Sequence, residues 1–202
     1  MTKLIPALAL LAAFWLFPAP ASAQTTEAAR QQKADELNIK LRKIDLYNQI
    51  LPILLTKEQA VKLLPVIEKA RKAVKDTEAA ELEGMKKLEN KLDAALKDAK
   101  EKSAVPTREL IKEISDMIRA FQVRRLEVIG TNTDNVAKAL EPVLNAGQKK
   151  AITNALDMRS ADGVIDTTKL TDEQKFRFFV QTILLDPLAY EILLEISQRK
   201  DG

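Results

Sequence analysis

The spacing of apolar residues constrains this chain more than any other feature, because it follows a helical period. Two series are separated by the short polar connection from Ser103 to Pro106, which favours antiparallel packing of the helices on either side. The first series has alternating steps of three and four residues, as in the seam of a coiled coil: Met85, Leu88, Leu92, Ala95 and Ala99. The second consists of Leu110, Ile111, Ile114, Met117, Ile118, Phe121 and Leu126. The pattern predicts an all-α fold, a long antiparallel helical hairpin with additional C-terminal helices.

Capping signals mark where helices start. Thr56 can accept a hydrogen bond from the first free amides of a helix, and Gln59 can reach back to the Thr56 N–H, which makes a capping box. The Leu-Thr-x-x-Gln pattern occurs three times, twice in full and once in a degenerate form with Asn in place of Thr. The three sets are Leu55, Thr56 and Gln59; Leu170, Thr171 and Gln174; and Leu144, Asn145 and Gln148. As capping chemistry, the recurrence has a structural meaning and implies no catalysis.

Proline and glycine suggest the other boundaries. The pattern predicts a first helix from Glu27 to about Ile50, a second from about Thr56 to Lys102 with a kink at Pro65, and a third that ends near Gly130. A short helix through Leu140, a helix to about Met158 and a polar loop over 160–168 follow. The apolar stretch from Phe176 to Leu194 is expected to fill the core or cover the hairpin; a partner-binding surface is the alternative.

The N-terminal sequence has the pattern of an export signal. Lys3 precedes an apolar run from Leu4 to Phe17, and Ala21-Ser22-Ala23 supplies a small-x-small cleavage site. We therefore expect a signal peptide over 1–23, a helical hairpin region over 24–130 and a C-terminal helical subdomain over 131–202. The apolar run is short for a bilayer span, so we expect a periplasmic or secreted protein with no stable membrane anchor after cleavage.

Composition argues against several function classes. The chain has no His and no Cys, so the usual imidazole base, thiolate nucleophile and soft metal ligands are missing. Acidic pairs such as Glu78 and Glu81 stand among lysines without a spacing that recommends catalysis. Acidic and basic residues are interleaved, which disfavours nucleic acid as a partner. We expect no enzyme activity, no cofactor and no bound metal.

An exported, helical, Lys/Glu-rich chain with repeated Leu-Thr-x-x-Gln boxes resembles the LTXXQ-motif proteins of the Spy/CpxP type, over roughly residues 40 to 130. The resemblance implies an ATP-independent periplasmic chaperone or envelope-stress protein, built as an antiparallel dimer of curved helical hairpins. Members present a concave surface of mixed basic and apolar residues to partly unfolded clients. The segment Thr131 to Gly202 extends beyond this pattern.

The expected partners are protein clients or an envelope-stress sensor, together with a second copy of the chain. The candidates for client contact lie on the third predicted helix: Leu110, Ile114, Met117, Ile118, Phe121, Arg124 and Arg125. The apolar members are alternatively hairpin core. The competing function is a structural or adaptor protein that binds one dedicated partner through the hairpin.

Overall fold

A computed structural model describes residues 21–159, 166 and 169–199. All secondary-structure elements in these ranges are helices, which confirms the all-α prediction. The first twenty residues of the predicted signal peptide lie outside the described residues. So does the predicted polar loop over 160–168, apart from Asp166.

Seven α-helices and three short turns of other helical types make up the described chain. In order they are α1 (Ala21–Ile50), a 3-10 turn (Leu51–Ile53), α2 (Lys57–Lys86), α3 (Glu89–Lys102), α4 (Arg108–Leu140), a second 3-10 turn (Glu141–Val143), α5 (Ala146–Arg159), α6 (Asp172–Phe179), a π-helical turn (Val180–Leu184) and α7 (Ala189–Ser197). The chain divides into two compact units, one up to Leu41 and one from Arg42. In the first unit, Lys33 Nζ lies 3.1 Å from Glu36 Oε2 on α1. The second unit holds the hydrophobic core and the helical hairpin.

Helices α2 and α3 pair with α4 in the predicted antiparallel hairpin. Arg125 contacts Glu81 near the middle, and Lys91 Nζ lies 2.7 Å from Glu113 Oε2 further out, so the numbers rise on one arm as they fall on the other. The predicted single helix from Thr56 to Lys102 is wrong at one point, because α2 ends at Lys86 and α3 begins at Glu89. At the break, Leu88 is buried and its N–H donates to the Met85 carbonyl at 3.0 Å.

Helix α4 does not end near Gly130, so that prediction is wrong. It runs without interruption from Arg108 to Leu140. Glycine costs a helix interior about 1 kcal/mol relative to alanine, which explains the expectation. Beyond it, however, Asn132 and Val136 are buried, and Asn132 Nδ2 donates to the Ala70 carbonyl at 3.1 Å. Burial of the following turns outweighs the local preference.

The core lies where the N-terminal half of α2, the C-terminal end of α4 and the C-terminal helices meet. Its largest fully buried side chains include Leu46, Ile50, Ile53, Leu63, Ile67, Leu140, Ile152, Phe179, Ile183, Leu184 and Ile192. Four of them come from the apolar stretch Phe176 to Leu194, which confirms the core-filling interpretation of that segment. Burial of each such side chain contributes about 1.5–3 kcal/mol.

Polar contacts tie the end of α1 to the C-terminal helices. Arg42 Nε donates to Asp186 Oδ2 at 2.8 Å, and its Nη2 donates to the Thr182 carbonyl at 3.2 Å within the π-helical turn. Lys43 Nζ lies 2.8 Å from Glu191 Oε2. Hydrogen bonding to Glu195 raises the pKa of the Tyr47 hydroxyl. These contacts hold the π-helical turn and α7 against the C-terminal end of α1.

Candidate functional site

Two turns that contain a proline lead into α2 and α5, and each ends in a capping box. Before α2, Thr56 Oγ1 accepts from the Gln59 N–H at 3.2 Å, and Gln59 Oε1 accepts from the Thr56 N–H at 2.8 Å. Before α5, Asn145 Oδ1 accepts from the Gln148 N–H at 2.9 Å, and Gln148 Oε1 accepts from the Asn145 N–H at 3.0 Å. Both predicted boxes are confirmed.

The glutamines of these two boxes bind each other. Gln59 Nε2 donates to Gln148 Oε1 at 3.0 Å and to the Val143 carbonyl at 2.6 Å. Gln148 Nε2 donates in return to Gln59 Oε1 at 2.9 Å and to the Leu54 carbonyl at 3.0 Å. Together with the capping bonds, each amide uses two donors and two acceptors, which is its full capacity. Leu54 has a φ of 54°, a left-handed conformation that is costly for leucine, and the bond from Gln148 holds its carbonyl.

The third box acts alone. Thr171 Oγ1 and Gln174 Oε1 exchange the two capping bonds at the start of α6, as predicted. No hydrogen bond from the Gln174 side chain to a second box is found in the described residues. Sequence reasoning treated the Asn145 copy as degenerate, whereas it is the one that pairs with Gln59. The sequence holds one feature that separates the boxes: Pro52 lies four residues before Thr56 and Pro142 three residues before Asn145, whereas no proline lies within four residues before Thr171.

Four of the residues predicted to contact clients lie along the seam of the hairpin. Leu110, Ile114, Met117 and Phe121 are half-buried. The Phe121 ring lies over Gly84, where an added Cβ would be 2.9 Å from Phe121 Cζ. These side chains pack between the arms, which corresponds to the hairpin-core alternative. Their role in client contact stays a prediction.

Several exposed apolar side chains lie on a neighbouring face of the hairpin. Ile111, Ile118 and Ile129 are spaced by seven and eleven residues, about two and three helical turns, so they share one face of α4. Val74 and Met85 are likewise eleven residues apart on α2, and Leu82 lies between them. Val74 and Ile129 line one common groove, so both rows are on the same side of the hairpin. We call these residues the hairpin flank: Val74, Leu82, Met85, Ile111, Ile118 and Ile129, each at least 38% exposed.

An ion pair between a buried carboxylate and an exposed arginine borders this flank. Glu81 is 2% exposed, and Arg125 Nε donates to its Oε1 at 2.8 Å and to its Oε2 at 3.0 Å. Hydrogen bonding from Arg125 lowers the pKa of the Glu81 carboxyl. Arg125, predicted to contact clients, therefore binds a carboxylate of its own chain, although its side chain is exposed like that of Arg124.

Four basic residues lie close together on α2, namely Lys69, Arg71, Lys72 and Lys75, and two of them form ion pairs within the chain. Arg71 Nη1 lies 3.0 Å from Glu68 Oε2, and its guanidinium lies 4.3 Å from the centre of the Tyr190 ring. Lys72 Nζ lies 2.6 Å from Asp76 Oδ2. Contacts of this kind at the surface contribute little to stability. They do, however, leave Lys75 as a cation of the cluster for which no ion pair is found in the described residues.

A groove opens at the base of the hairpin flank. Its volume is about 470 Å³, and its walls come from α2, α4 and the segment around the π-helical turn. A smaller groove of about 290 Å³ shares Val74, Glu78 and Ile129 with it and is lined further by Thr77, Arg125 and Val128. We call the two together the α2–α4 groove. Pockets for small ligands commonly have volumes of about 300–1,000 Å³.

Comparison of the chain with protein-family models, with curated proteins and with solved structures found no match. The geometry of the described residues therefore has to carry the functional argument. Among them, no group of three or more acidic side chains lies close enough to hold a metal ion. A search of the same residues finds no helix with the length and apolar character to cross a membrane.

Proposed function

We propose that this protein is an exported, non-catalytic binder of other proteins, and that it holds partly unfolded or envelope proteins reversibly on the hairpin flank. Binding of this kind needs neither nucleotide nor cofactor. A periplasmic or secreted location, a homodimer and an envelope-stress sensor as a possible partner belong to the same proposal, and the resemblance to the Spy/CpxP type supports them.

One observation carries the proposal: the C-terminal part of α2 and the facing part of α4 leave a row of large apolar side chains in solvent. Leu82, Met85 and Ile118 are 49%, 44% and 48% exposed. Single exposed apolar residues are ordinary, but rows of them on one face mark interaction surfaces. Methionine adds adaptability, because its flexible thioether can pack against clients of different shape.

The hairpin around the flank is built to persist without a partner. The arms are joined by the seam side chains and by the pairing of Glu81 with Arg125, both of which lie beside the exposed row. Charged residues lie beside the apolar ones, since Glu78 and Arg125 line the same groove as Val74 and Ile129. A mixed surface of this kind favours weak binding to many sequences over tight binding to one.

Suppression of aggregation tests the proposal. The 202-residue chain is expressed, and the purified product is mixed without nucleotide at increasing ratios with a chemically denatured unrelated protein while light scattering is followed. We expect dose-dependent suppression. The double substitution Met85→Gln/Ile118→Gln removes two flank side chains at about the same level of the hairpin and should reduce it.

The matched control is Val123→Gln/Leu194→Gln. These two side chains are 51% and 39% exposed, but Val123 is five residues from Ile118 and so lies on another face of α4. The control should suppress aggregation like the wild type. No suppression at large excess would refute the proposal and favour the adaptor function, in which one partner is captured tightly. Equal loss in both double variants would show that the flank is not the surface used.

A further inference from the structure

Sulfur-containing side chains are few in this protein, and they differ in their access to solvent. The chain has no Cys and four Met, of which Met1 belongs to the predicted signal peptide. Met85 lies near the C-terminal end of α2 and is 44% exposed. Met117 is half-buried in the seam of the hairpin, and the side chain of Met158 is outside the described residues. Of the two described thioethers, that of Met85 is the more accessible to a reagent in solution.

The composition of the chain directs two-electron oxidants to methionine. Cysteine thiolates are the usual first targets of such oxidants, and this chain has none. Its one tryptophan, Trp15, lies in the predicted signal peptide. A peroxide that meets the rest of the chain therefore finds its most reactive targets in the thioethers.

Met85 is part of the hairpin flank, so a change in its chemistry alters the surface proposed to bind clients. It lies three residues after Leu82, about one helical turn along α2. Oxidation converts the flexible apolar thioether into a polar sulfoxide. The sulfoxide oxygen loses its hydration when an apolar client side chain covers it, which is costly. Client binding is therefore weakened, while the seam around Met117 still joins the two arms.

We propose that Met85 is a site of reversible oxidation, and that its sulfoxide form releases clients from the hairpin flank. The inference rests on the protein-binding function proposed above and adds its regulation. In the step, the Met85 Sδ attacks one oxygen of hydrogen peroxide, and an S–O bond forms as the O–O bond breaks. The other oxygen leaves as water with both protons, so sulfur is oxidised and the peroxide is reduced. Methionine sulfoxide reductases reverse the change with electrons from a dithiol.

Peptide mass spectrometry tests the site of modification. The purified protein is treated with millimolar hydrogen peroxide, the reaction is stopped with catalase, and the sulfoxide at each methionine is followed over time. We expect Met85 to be oxidised about threefold faster than Met117 or more, in keeping with its greater exposure. Equal rates, or a faster reaction at Met117, would overturn the assignment of the site.

Suppression of aggregation tests the effect of the modification. After oxidation of Met85, the amount of protein needed for half-maximal suppression should rise by about threefold or more. Methionine sulfoxide reductases A and B with dithiothreitol should restore the original amount, because together they reduce both sulfoxide epimers.

Two substitutions of methionine by leucine form the matched pair, and both conserve apolar volume. Met85→Leu removes the sulfur from the flank and should suppress aggregation like the wild type, both before and after peroxide treatment. Met117→Leu removes a sulfur from the seam instead, so peroxide should impair it as it impairs the wild type. Circular dichroism checks that each variant is folded before and after treatment.

Three results would overturn the regulation: full suppression by the oxidised protein, equal loss of suppression in treated Met85→Leu, or failure of the reductases to restore it. If the untreated protein suppresses no aggregation, the function proposed for the flank fails and the regulation falls with it. The mass spectra decide in that case, too, whether Met85 is the site of oxidation.

Discussion

The paired glutamines lead to a quantitative prediction. The Gln59 side chain donates two hydrogen bonds and accepts two, from Thr56 and Gln148. At about 0.5–1 kcal/mol net for each bond, Gln59→Ala should lower the free energy of unfolding by about 2–4 kcal/mol. Gln148→Ala removes an equal number of bonds and should cost a similar amount. Within the described residues the Gln174 side chain makes one hydrogen bond, the capping bond to the Thr171 N–H, so Gln174→Ala should cost about 1 kcal/mol or less.

The double variant Gln59→Ala/Gln148→Ala separates pairing from capping. Two of the hydrogen bonds join the glutamines to each other, and each single variant already removes both. Each single variant also leaves the remaining amide with one donor and one acceptor position unpaired, which is costly because Gln148 is only 6% exposed. The double variant should therefore cost about 1–3 kcal/mol less than the sum of the two single variants.

Urea unfolding followed by circular dichroism at 222 nm measures all four variants, and similar slopes would show that the native and unfolded states remain comparable. Strict additivity would refute the claim that the two boxes act as one unit. So would a cost for Gln59→Ala no larger than that for Gln174→Ala.

The remaining predictions concern the hairpin. Gly130→Ala should raise the free energy of unfolding by about 0.5–1 kcal/mol, because Gly130 lies inside α4 and an added Cβ meets nothing within 4 Å. Gly84→Ala should gain less or lose stability, since its Cβ would lie 2.9 Å from the Phe121 ring; thermal melts that rank the pair the other way would contradict this. Arg125→Gln should destabilise at neutral pH by leaving buried Glu81 unpaired. The native pKa of Glu81 is held below its ordinary 4.5, so the stabilisation is present above that value and is lost as pH falls through the native pKa. The difference between wild type and Arg125→Gln should therefore shrink on acidification below pH 4.5, and urea titrations that show a constant difference would rule the coupling out.

Local chemistry made several elements predictable from the sequence. A capping box is formed by residues three positions apart, so Thr56 with Gln59 and Thr171 with Gln174 identify helix starts without reference to the rest of the chain. The helical period predicted the antiparallel hairpin, and the density of apolar residues between Phe176 and Leu194 predicted a core segment. Each of these depends on short-range spacing or on composition.

The residues of the hairpin flank could not be identified from short-range spacing alone. The predicted contact residues mix the seam, with Met117 and Phe121, and the exposed face, with Ile118. Adjacent apolar positions on one helix have the same chemistry, and only the partner arm decides which of them it covers. The same holds for Glu81, which stands among lysines in the sequence but is buried against Arg125, forty-four residues away.

The sequence by itself determined the helical class, the capped helix starts and the existence of a hairpin, because those follow from interactions within one or two turns. The tertiary structure decided that α4 continues through Gly130, that Gln59 pairs with Gln148 rather than with Gln174, and that Val74 and Ile129 share a groove. Each of these depends on which distant segments meet, and burial and hydrogen bonding at such meetings can exceed the fractions of a kcal/mol by which local preferences differ.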